Sequence, residues 1–217
     1  MTKVTGGAAI VRSLLAHGVD TIFGLPGVQS DHLFNAFYDN RDQLRVIHSR
    51  HEQGAAYMAL GYALSTDRVG VFSVVPGPGF LNASAALATA YSTNARVLAL
   101  VGQIQSDSIN QGYGLLHEIP NQIGILKTLT KWAARIETPA TAPQLVAEAF
   151  RQLHDGRPPS RARVCTRCAG HAERSRSDTG RLHTASPAGG SGKARRGRCA
   201  ARQRKESADL CRQRCDR

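Results

Sequence analysis

The chain has 217 residues and a formal net charge of +12, but charge and composition divide unevenly along it. Residues 1–157 hold 12 basic and 11 acidic side chains and every Trp, Tyr and Phe, whereas residues 158–217 hold 16 basic and 5 acidic side chains and all five cysteines. No apolar run approaches the ~20 residues that cross a bilayer, and no secretory signal is visible, which excludes a membrane-spanning protein.

The composition also predicts the domain organisation. The last 60 residues contain three branched aliphatic side chains, Val164, Leu182 and Leu210, which cannot offset the chain entropy of folding. We therefore predict one globular domain at residues 1–157 and a disordered, low-complexity basic tail at residues 158–217. Because the globular part has no cysteine, a reducing, cytoplasmic location is expected.

Strands and helices alternate along the globular part. Thr5 is a predicted N-cap for the first helix and Gly18 its left-handed end. Hydrophobic patterns predict strands at 20–24, 44–48, 69–75, 96–101 and 131–136, and helices at 6–17, 30–37, 52–63, 81–91, 122–129 and 142–153. This alternation predicts an α/β fold in which helices flank a parallel sheet.

Glycine-rich turns and one carboxylate follow these strands in turn. Pro26-Gly27, Glu52, the turn 76–79 and Gly102-Gln103 each come directly after a strand. Ligands of such sheets bind at the carboxyl ends of the strands, so we expect these groups to converge. Each also has a purely structural interpretation, because Glu52 can complement a helix dipole and Pro-Gly turns join strands to helices tightly.

Four motifs in this order resemble thiamine-diphosphate enzymes of the acetolactate synthase type. They are residues 23–27 (Phe-Gly-Leu-Pro-Gly), 51–63 (beginning His-Glu-Gln-Gly-Ala-Ala), 76–82 (Pro-Gly-Pro-Gly-Phe-Leu-Asn) and 101–103 (Val-Gly-Gln). The resemblance covers about residues 1–157 and implies the pyrimidine-binding domain of that family. It also implies thiamine diphosphate as the cofactor and a 2-oxo acid as the substrate.

The resemblance further implies roles for single residues. In the family, the glutamate at the Glu52 position is catalytic and hydrogen-bonds N1′ of the cofactor's aminopyrimidine ring, where a carboxylate can exchange a proton. The matching cofactor-binding positions here are Pro26, Gly27, Pro76, Gly77, Gly79 and Asn82. Gln103 resembles a family glutamine near the reacting centre, and its alternative is a loop anchor at the end of a strand. His117 is a candidate for contact with the substrate.

The family builds each site between two subunits, which implies a homodimer. Mg²⁺ and the diphosphate are held by a separate domain that opens with a Gly-Asp-Gly motif, and this motif does not occur in the sequence. The resemblance therefore implies an N-terminal, truncated portion that is inactive alone. One alternative is a split enzyme in which another chain supplies the diphosphate-binding domain.

The sequence departs from acetolactate synthases at residues 116–118, where Leu-His-Glu stands in place of Phe-Gln-Glu. In the family this aromatic and amide help to define the pocket for the second substrate. The prediction is therefore decarboxylation or carboligation of 2-oxo acids in general. His117 is a candidate for contact with a substrate carboxylate, and its alternative is an exposed loop histidine.

The tail favours no ligand of its own. Cys165, Cys168, His171 and the pair Cys211 and Cys215 are too unevenly spaced for a zinc site, and no aromatic side chain is available to stack on bases. A basic, non-catalytic nucleic-acid-binding protein is kept as the alternative from another class. Our hypothesis is a frameshift near Arg157 that replaced the remaining domains with an unselected peptide. Translating the coding DNA in the other two frames tests it. Separately, the closing strand that the family has after Pro159 is not expected here, so we expect a neighbouring strand to keep an open edge.

Overall fold

The computed structural model describes residues 4–155 and the backbone of residues 164–169. Six parallel strands form one sheet in the order β2-β1-β3-β4-β6-β5. The strands are β1 (Thr21–Gly24), β2 (Arg45–His48), β3 (Gly70–Val74), β4 (Val97–Gly102), β5 (Trp132–Ile136) and β6 (Val164–Ala169). The helices are α1 (Gly6–Ala16), α2 (Asp31–Asp39), α3 (Glu52–Ser65), α4 (Pro78–Thr93), α5 (Gln122–Leu129) and α6 (Ala142–His154). The predicted fold class, a parallel α/β sheet flanked by helices, is confirmed.

Helix ends follow the local chemistry of the chain. The Thr5 hydroxyl accepts a hydrogen bond from the Ala8 N–H at 3.2 Å, and Gly18 has φ +75°, as predicted for the two ends of α1. Ser30 is not the predicted side-chain cap of α2, because its hydroxyl turns back to the N–H and carbonyl of Gly27. Helix α4 begins at Pro78, earlier than predicted, because proline presets the helical φ at a first position that needs no N–H partner.

Two helix layers cover the sheet. Helices α1, α2 and α6 form what we term the α1 layer, and α3, α4 and α5 form the α3 layer. Side chains of β4 alternate between them, since Leu98 and Leu100 pack against the α1 layer while Ala99 and Val101 pack against the α3 layer. Within the described residues, no helix combines the length and apolar character needed to cross a membrane.

Strand β6 corrects one prediction. No strand was expected after Pro159, yet Val164–Ala169 lies between β4 and β5 and pairs in parallel with both. The backbone explains the difference, because any segment with free N–H and C=O groups can fill a gap between two strands, whatever its apolar content. The predicted open edge next to β4 is therefore wrong, and the sheet extends beyond the predicted boundary at residue 157. Residues 156–163 and 170–217, including His171, Cys199, Cys211 and Cys215, lie outside the described residues.

The strand order creates a crevice at one position. The chain leaves β1 to form β2 on one side and returns to form β3 on the other side of β1. The connection after β1 therefore runs into the α1 layer and the connection after β3 into the α3 layer. In open parallel sheets, ligands bind outside the carboxyl ends of the two strands where the order reverses.

Candidate functional site

Glu52 lies at the start of α3, at the carboxyl edge of the sheet. The preceding residue, His51, is the N-cap, and its Nδ1 accepts a hydrogen bond from the Gln53 N–H at 3.2 Å. The loop before it is held by the Ser49 hydroxyl, which donates to the His51 carbonyl at 2.6 Å. The capped helix end fixes the backbone of Glu52. Because Glu52 is half-buried, its side chain is still accessible from the surface.

The Glu52 carboxylate contacts the first turn of α4. Its Oε2 accepts a hydrogen bond from Nδ2 of Asn82 at 3.0 Å. Among the described residues, Oε1 accepts none. A Cβ on Gly79 would lie 3.4 Å from Oε1 and 2.5 Å from Cγ2 of Val75, so glycine keeps the space beside the carboxylate open. One carboxylate oxygen is thus oriented by Asn82, and the other accepts no hydrogen bond from the described residues.

The turns after β1 and β3 meet at the crevice. A Cβ on Gly27 would lie 2.5 Å from Cγ1 of Val75, and one on Gly102 would lie 2.9 Å from Cδ of Pro76. Pro76 and Gly77 are buried, whereas Pro26 is exposed. These short distances explain why Gly27 and Gly102 are glycines, because a side chain at either position would push the carboxyl ends of neighbouring strands apart.

His117 connects a third loop to these two turns. Its Nδ1 lies 2.9 Å from Oε1 of Gln29, and Nε2 of Gln29 donates to the Leu116 carbonyl at 3.0 Å. The His117 carbonyl lies 2.3 Å from where a Cβ of Gly77 would be. His117 is half-buried, and its contact with a substrate stays a prediction.

Gln103 does not bond through its amide oxygen to Glu52, Gly79 or Asn82, which we term the Glu52 cluster. That oxygen accepts from the N–H of the next residue, Ile104, at 2.9 Å, and the side chain is buried. Gln103 instead lines a pocket of about 490 Å³ between the loop after β4 and the start of α5. The polar groups of that pocket include Asn110, Glu118 and Arg135.

Sequence reasoning missed two residues of this region, Gln29 and Gln122. Gln29 pairs with a residue 88 positions away, and the buried amide of Gln122 bonds Gly77, 45 positions away. Neither lies in a motif, and their contacts depend on how separate loops fold over one another. Asn82 was predicted to touch the cofactor, and the structure adds that it orients Glu52.

Comparison with known proteins matches this region to one family. Residues 4–125 match the family model described as the thiamine pyrophosphate enzyme, N-terminal TPP binding domain. The chain belongs to this family. The match includes Glu52, the three glycine-containing turns and His117, which are the groups that the fold brings to the carboxyl edge.

Individual relatives agree with the family match. A probable 2-ketoarginine decarboxylase of Pseudomonas aeruginosa is 36% identical over 155 residues, which is 71% of this chain and 27% of the relative. An acetolactate synthase of Arthrospira platensis is 39% identical over 158 residues, 72% of this chain and 27% of the relative. An acetolactate synthase large subunit of Lactococcus lactis is 36% identical over 159 residues, 73% of this chain and 27% of the relative. The chain thus spans about a quarter of the length of the curated relatives it matches.

Proposed function

We propose that the carboxyl edge of this domain binds the aminopyrimidine end of thiamine diphosphate, with Glu52 at N1′ of the ring. The observation that carries the proposal is the Glu52 carboxylate, whose Oε2 is held by Asn82 at 3.0 Å while Gly79 leaves the space beside Oε1 open. A flat ring fits a cleft walled by glycine backbone, because no Cβ obstructs its face.

The residues of the site have separable tasks in this proposal. Thiamine diphosphate, when bound, would supply the electron-sink chemistry that the decarboxylation of 2-oxo acids needs. Glu52 exchanges a proton with the ring nitrogen, a step within reach of a carboxylate at neutral pH. Asn82 fixes the rotamer of Glu52, and Gly27, Gly77 and Gly79 let the backbone approach the ring, with Pro26 and Pro76 stiffening the turns.

The substrate class we propose is a 2-oxo acid that is decarboxylated or ligated to a second carbonyl compound. The names of the relatives, acetolactate synthase and 2-ketoarginine decarboxylase, support the class without choosing between its members. His117, anchored through Nδ1 to Gln29, is our candidate for contact with the substrate. Gln103 is a weaker one, because its amide oxygen is engaged with Ile104.

A complete site requires a diphosphate-binding domain with Mg²⁺, which we propose is contributed by a second subunit. That subunit is a copy of a longer form of this chain in a homodimer, or a separate chain in a split enzyme. We expect the 217-residue chain alone to be inactive and to act in the cytoplasm. A basic tail that takes no part in the site and the frameshift near Arg157 also remain proposals, and translating the coding DNA in the other two frames tests the frameshift.

The test is a titration of the purified chain with thiamine diphosphate and Mg²⁺, followed by calorimetry and by NMR of the Gly79 amide. Glu52→Gln keeps the shape of the side chain but cannot exchange the proton, so we expect affinity to fall roughly 10-fold, the loss of one charge-assisted hydrogen bond. Glu137→Gln, an exposed carboxylate paired with Arg135, is the matched control and should bind as the wild type does. Equal affinity of the Glu52→Gln variant would argue against a charge-assisted contact between Glu52 and the ring.

A further inference from the structure

Gln122 is a buried amide that ties two turns of the site together. Its side chain is 3% exposed. Its Oε1 accepts a hydrogen bond from the Gly77 N–H at 2.9 Å, and its Nε2 donates to the Gly102 carbonyl at 2.9 Å. The first turn ends β3 and the second ends β4, so one side chain links the carboxyl ends of two neighbouring strands.

The position of Gln122 is itself fixed by the start of α5. Asn121 is the N-cap in a left-handed conformation, with φ +49°, and its side chain accepts from the Gly124 N–H at 3.1 Å. Gln122 is the first residue of the helix, so its amide projects from a capped end rather than from a loose loop. Because its own backbone is fixed by the helix end, the Gln122 amide can fix the positions of the two backbone groups that it bonds.

Gly77 precedes the first turn of α4, the turn that carries Gly79 and Asn82. Its φ of +57° is a conformation that favours glycine, and it is the N-cap of α4, two residues before Gly79. The Gly77 peptide is confined between the Gln122 amide on its N–H and the His117 carbonyl near its Cα. A shift of Gly77 would carry the first turn of α4, with Gly79 and Asn82, away from Glu52.

We propose that Gln122 is the positioning residue of the cofactor turn: its amide sets the place of Gly77 and Gly79 relative to Glu52 and so controls affinity for the pyrimidine ring. This inference rests on the proposed function. One side chain must accept a hydrogen bond from the Gly77 N–H and donate one to the Gly102 carbonyl. A glutamine can do both, a methionine of similar shape can do neither, and an ionised glutamate can accept but not donate.

The experiment uses 4-amino-5-hydroxymethyl-2-methylpyrimidine, the free ring of the cofactor, as the probe. The dissociation constant is read from NMR shifts, and hydrogen exchange of the Gly77 amide is read in the free protein. We expect Gln122→Met to weaken binding roughly 10-fold and to speed Gly77 exchange by a similar factor, as for the loss of buried hydrogen bonds. The control is Thr130→Val, which removes a buried hydrogen bond to Leu126 at the other end of α5 and should leave both quantities within about 2-fold.

A second variant provides a readout that general destabilisation would not produce. Gln122→Glu should also weaken binding roughly 10-fold at about pH 8, because an ionised carboxylate accepts from Gly77 but cannot donate to the Gly102 carbonyl. At about pH 5 a buried carboxyl is protonated and can again accept from Gly77 and donate to Gly102. The ratio of its dissociation constant to that of the wild type at the same pH should then fall from roughly 10 to about 2.

The outcomes separate the two proposals. If the wild type binds the probe and Gln122→Met binds equally well with unchanged Gly77 exchange, the role of Gln122 is overturned while the proposed function stands. A pH-independent ratio for Gln122→Glu would overturn it as well. If the wild type does not bind the probe although the Gly77 amide is protected, the proposed function fails and the inference falls with it.

Discussion

The two helix layers cover the same sheet but differ on their outer faces. In the α1 layer, α6 buries Val146, Phe150 and Leu153 and turns charged side chains outward, a pattern typical of a helix that borders water. In the α3 layer, α3 and α4 are rich in alanine and expose large apolar side chains, namely Tyr57, Leu64, Leu81 and Tyr91. Tyr38 of the α1 layer is also exposed, but the Arg41 guanidinium lies 4.4 Å from its ring centroid.

The two layers also differ in which residues of the candidate site they carry. The α3 layer carries Glu52, Gly79 and Asn82, and its helices pack closely because their contact residues are small: Ala55, Ala56, Ala59 and Ala83 are fully buried. The α1 layer holds larger aliphatic and aromatic core residues and carries no part of the Glu52 cluster. Changes at the close contacts of α3 and α4 that support Glu52 should therefore affect binding and stability together, and changes in the α1 layer stability alone.

The largest effect is expected from two glycines, one in each half of the comparison, that lie against the backbone of a helix. A Cβ on Gly70 would lie 1.9 Å from the Ala59 carbonyl oxygen of α3, and a Cβ on Gly7 would lie 2.4 Å from the His32 carbonyl oxygen of α2. Each Gly→Ala substitution should lower the unfolding free energy by about 3 kcal/mol, because backbone must move. Urea unfolding measures the loss, and Gly61→Ala, with no atom within 4 Å of its Cβ, should not destabilise.

The same pair of variants tests the separation of the layers. Gly70→Ala displaces α3 and should also weaken probe binding several-fold, whereas Gly7→Ala should bind as the wild type does under conditions where both are folded. Equal binding losses in the two variants would show that the layers are not independent.

The next effect concerns the caps of the first helix in each layer. His51 caps α3 through Nδ1, and Thr5 caps α1 through its hydroxyl, each at 3.2 Å from the N–H it receives. Substitution by alanine should cost about 1 kcal/mol at either site. His51→Ala should in addition weaken probe binding, because the helix end that it frays begins with Glu52. His51→Asn restores an acceptor and should recover both quantities, and failure to recover would mean that the ring acts otherwise than as a cap.

Particular elements show how far the sequence could predict this structure. Caps, glycine stops and apolar strands are local, so α1, α5 and β3 lie within a few residues of their predicted bounds. Glu52 and the turns were placed at one edge because parallel strands end together. The contacts of Gln29 and Gln122 could not be predicted, since they join segments far apart in sequence and depend on loop conformations with positive φ, such as that of His117.

Strand β6 was missed for a different reason. Strand prediction depends on apolar periodicity, and the segment 164–169 (Val-Cys-Thr-Arg-Cys-Ala) has little. The segment lies in the sheet because its backbone groups pair with those of β4 and β5. This pairing depends on the assembled sheet and leaves no local signal in the sequence.

A smaller effect on stability, with a visible effect on size, is expected at the outer face of the α3 layer. Leu64 and Leu81 are 57% and 44% exposed, so we expect the chain to self-associate at about 0.15 M salt, where charge repulsion is screened beyond ~8 Å. The double variant Leu64→Lys and Leu81→Lys should shift light-scattering masses towards the monomer while changing stability by about 0.5 kcal/mol or less. Tyr38→Lys in the α1 layer is the control and should not change the mass. A monomeric wild type at this salt concentration would contradict the prediction.

The smallest effect lies on the charged face of α6. Hydrogen bonds from Arg151 and Gln152 lower the pKa of Glu148 from 4.5 to about 2; Nε of Arg151 lies 2.7 Å and Nε2 of Gln152 2.6 Å from the carboxylate oxygens they bond. Because the folded-state pKa is the lower one, this stabilisation is complete above about pH 4.5 and is lost as the pH falls towards 2. The group faces solvent, which screens the pair and keeps the effect small.

Glu148→Gln should therefore be slightly less stable than the wild type in urea unfolding at about pH 6, and the difference should narrow at about pH 3. Glu137→Gln removes an equal charge on the surface and is its control, and probe binding should be unchanged in both variants, since neither lies in the α3 layer. A stability difference that does not depend on pH would mean that Glu148 acts through packing of its side chain and not through its charge.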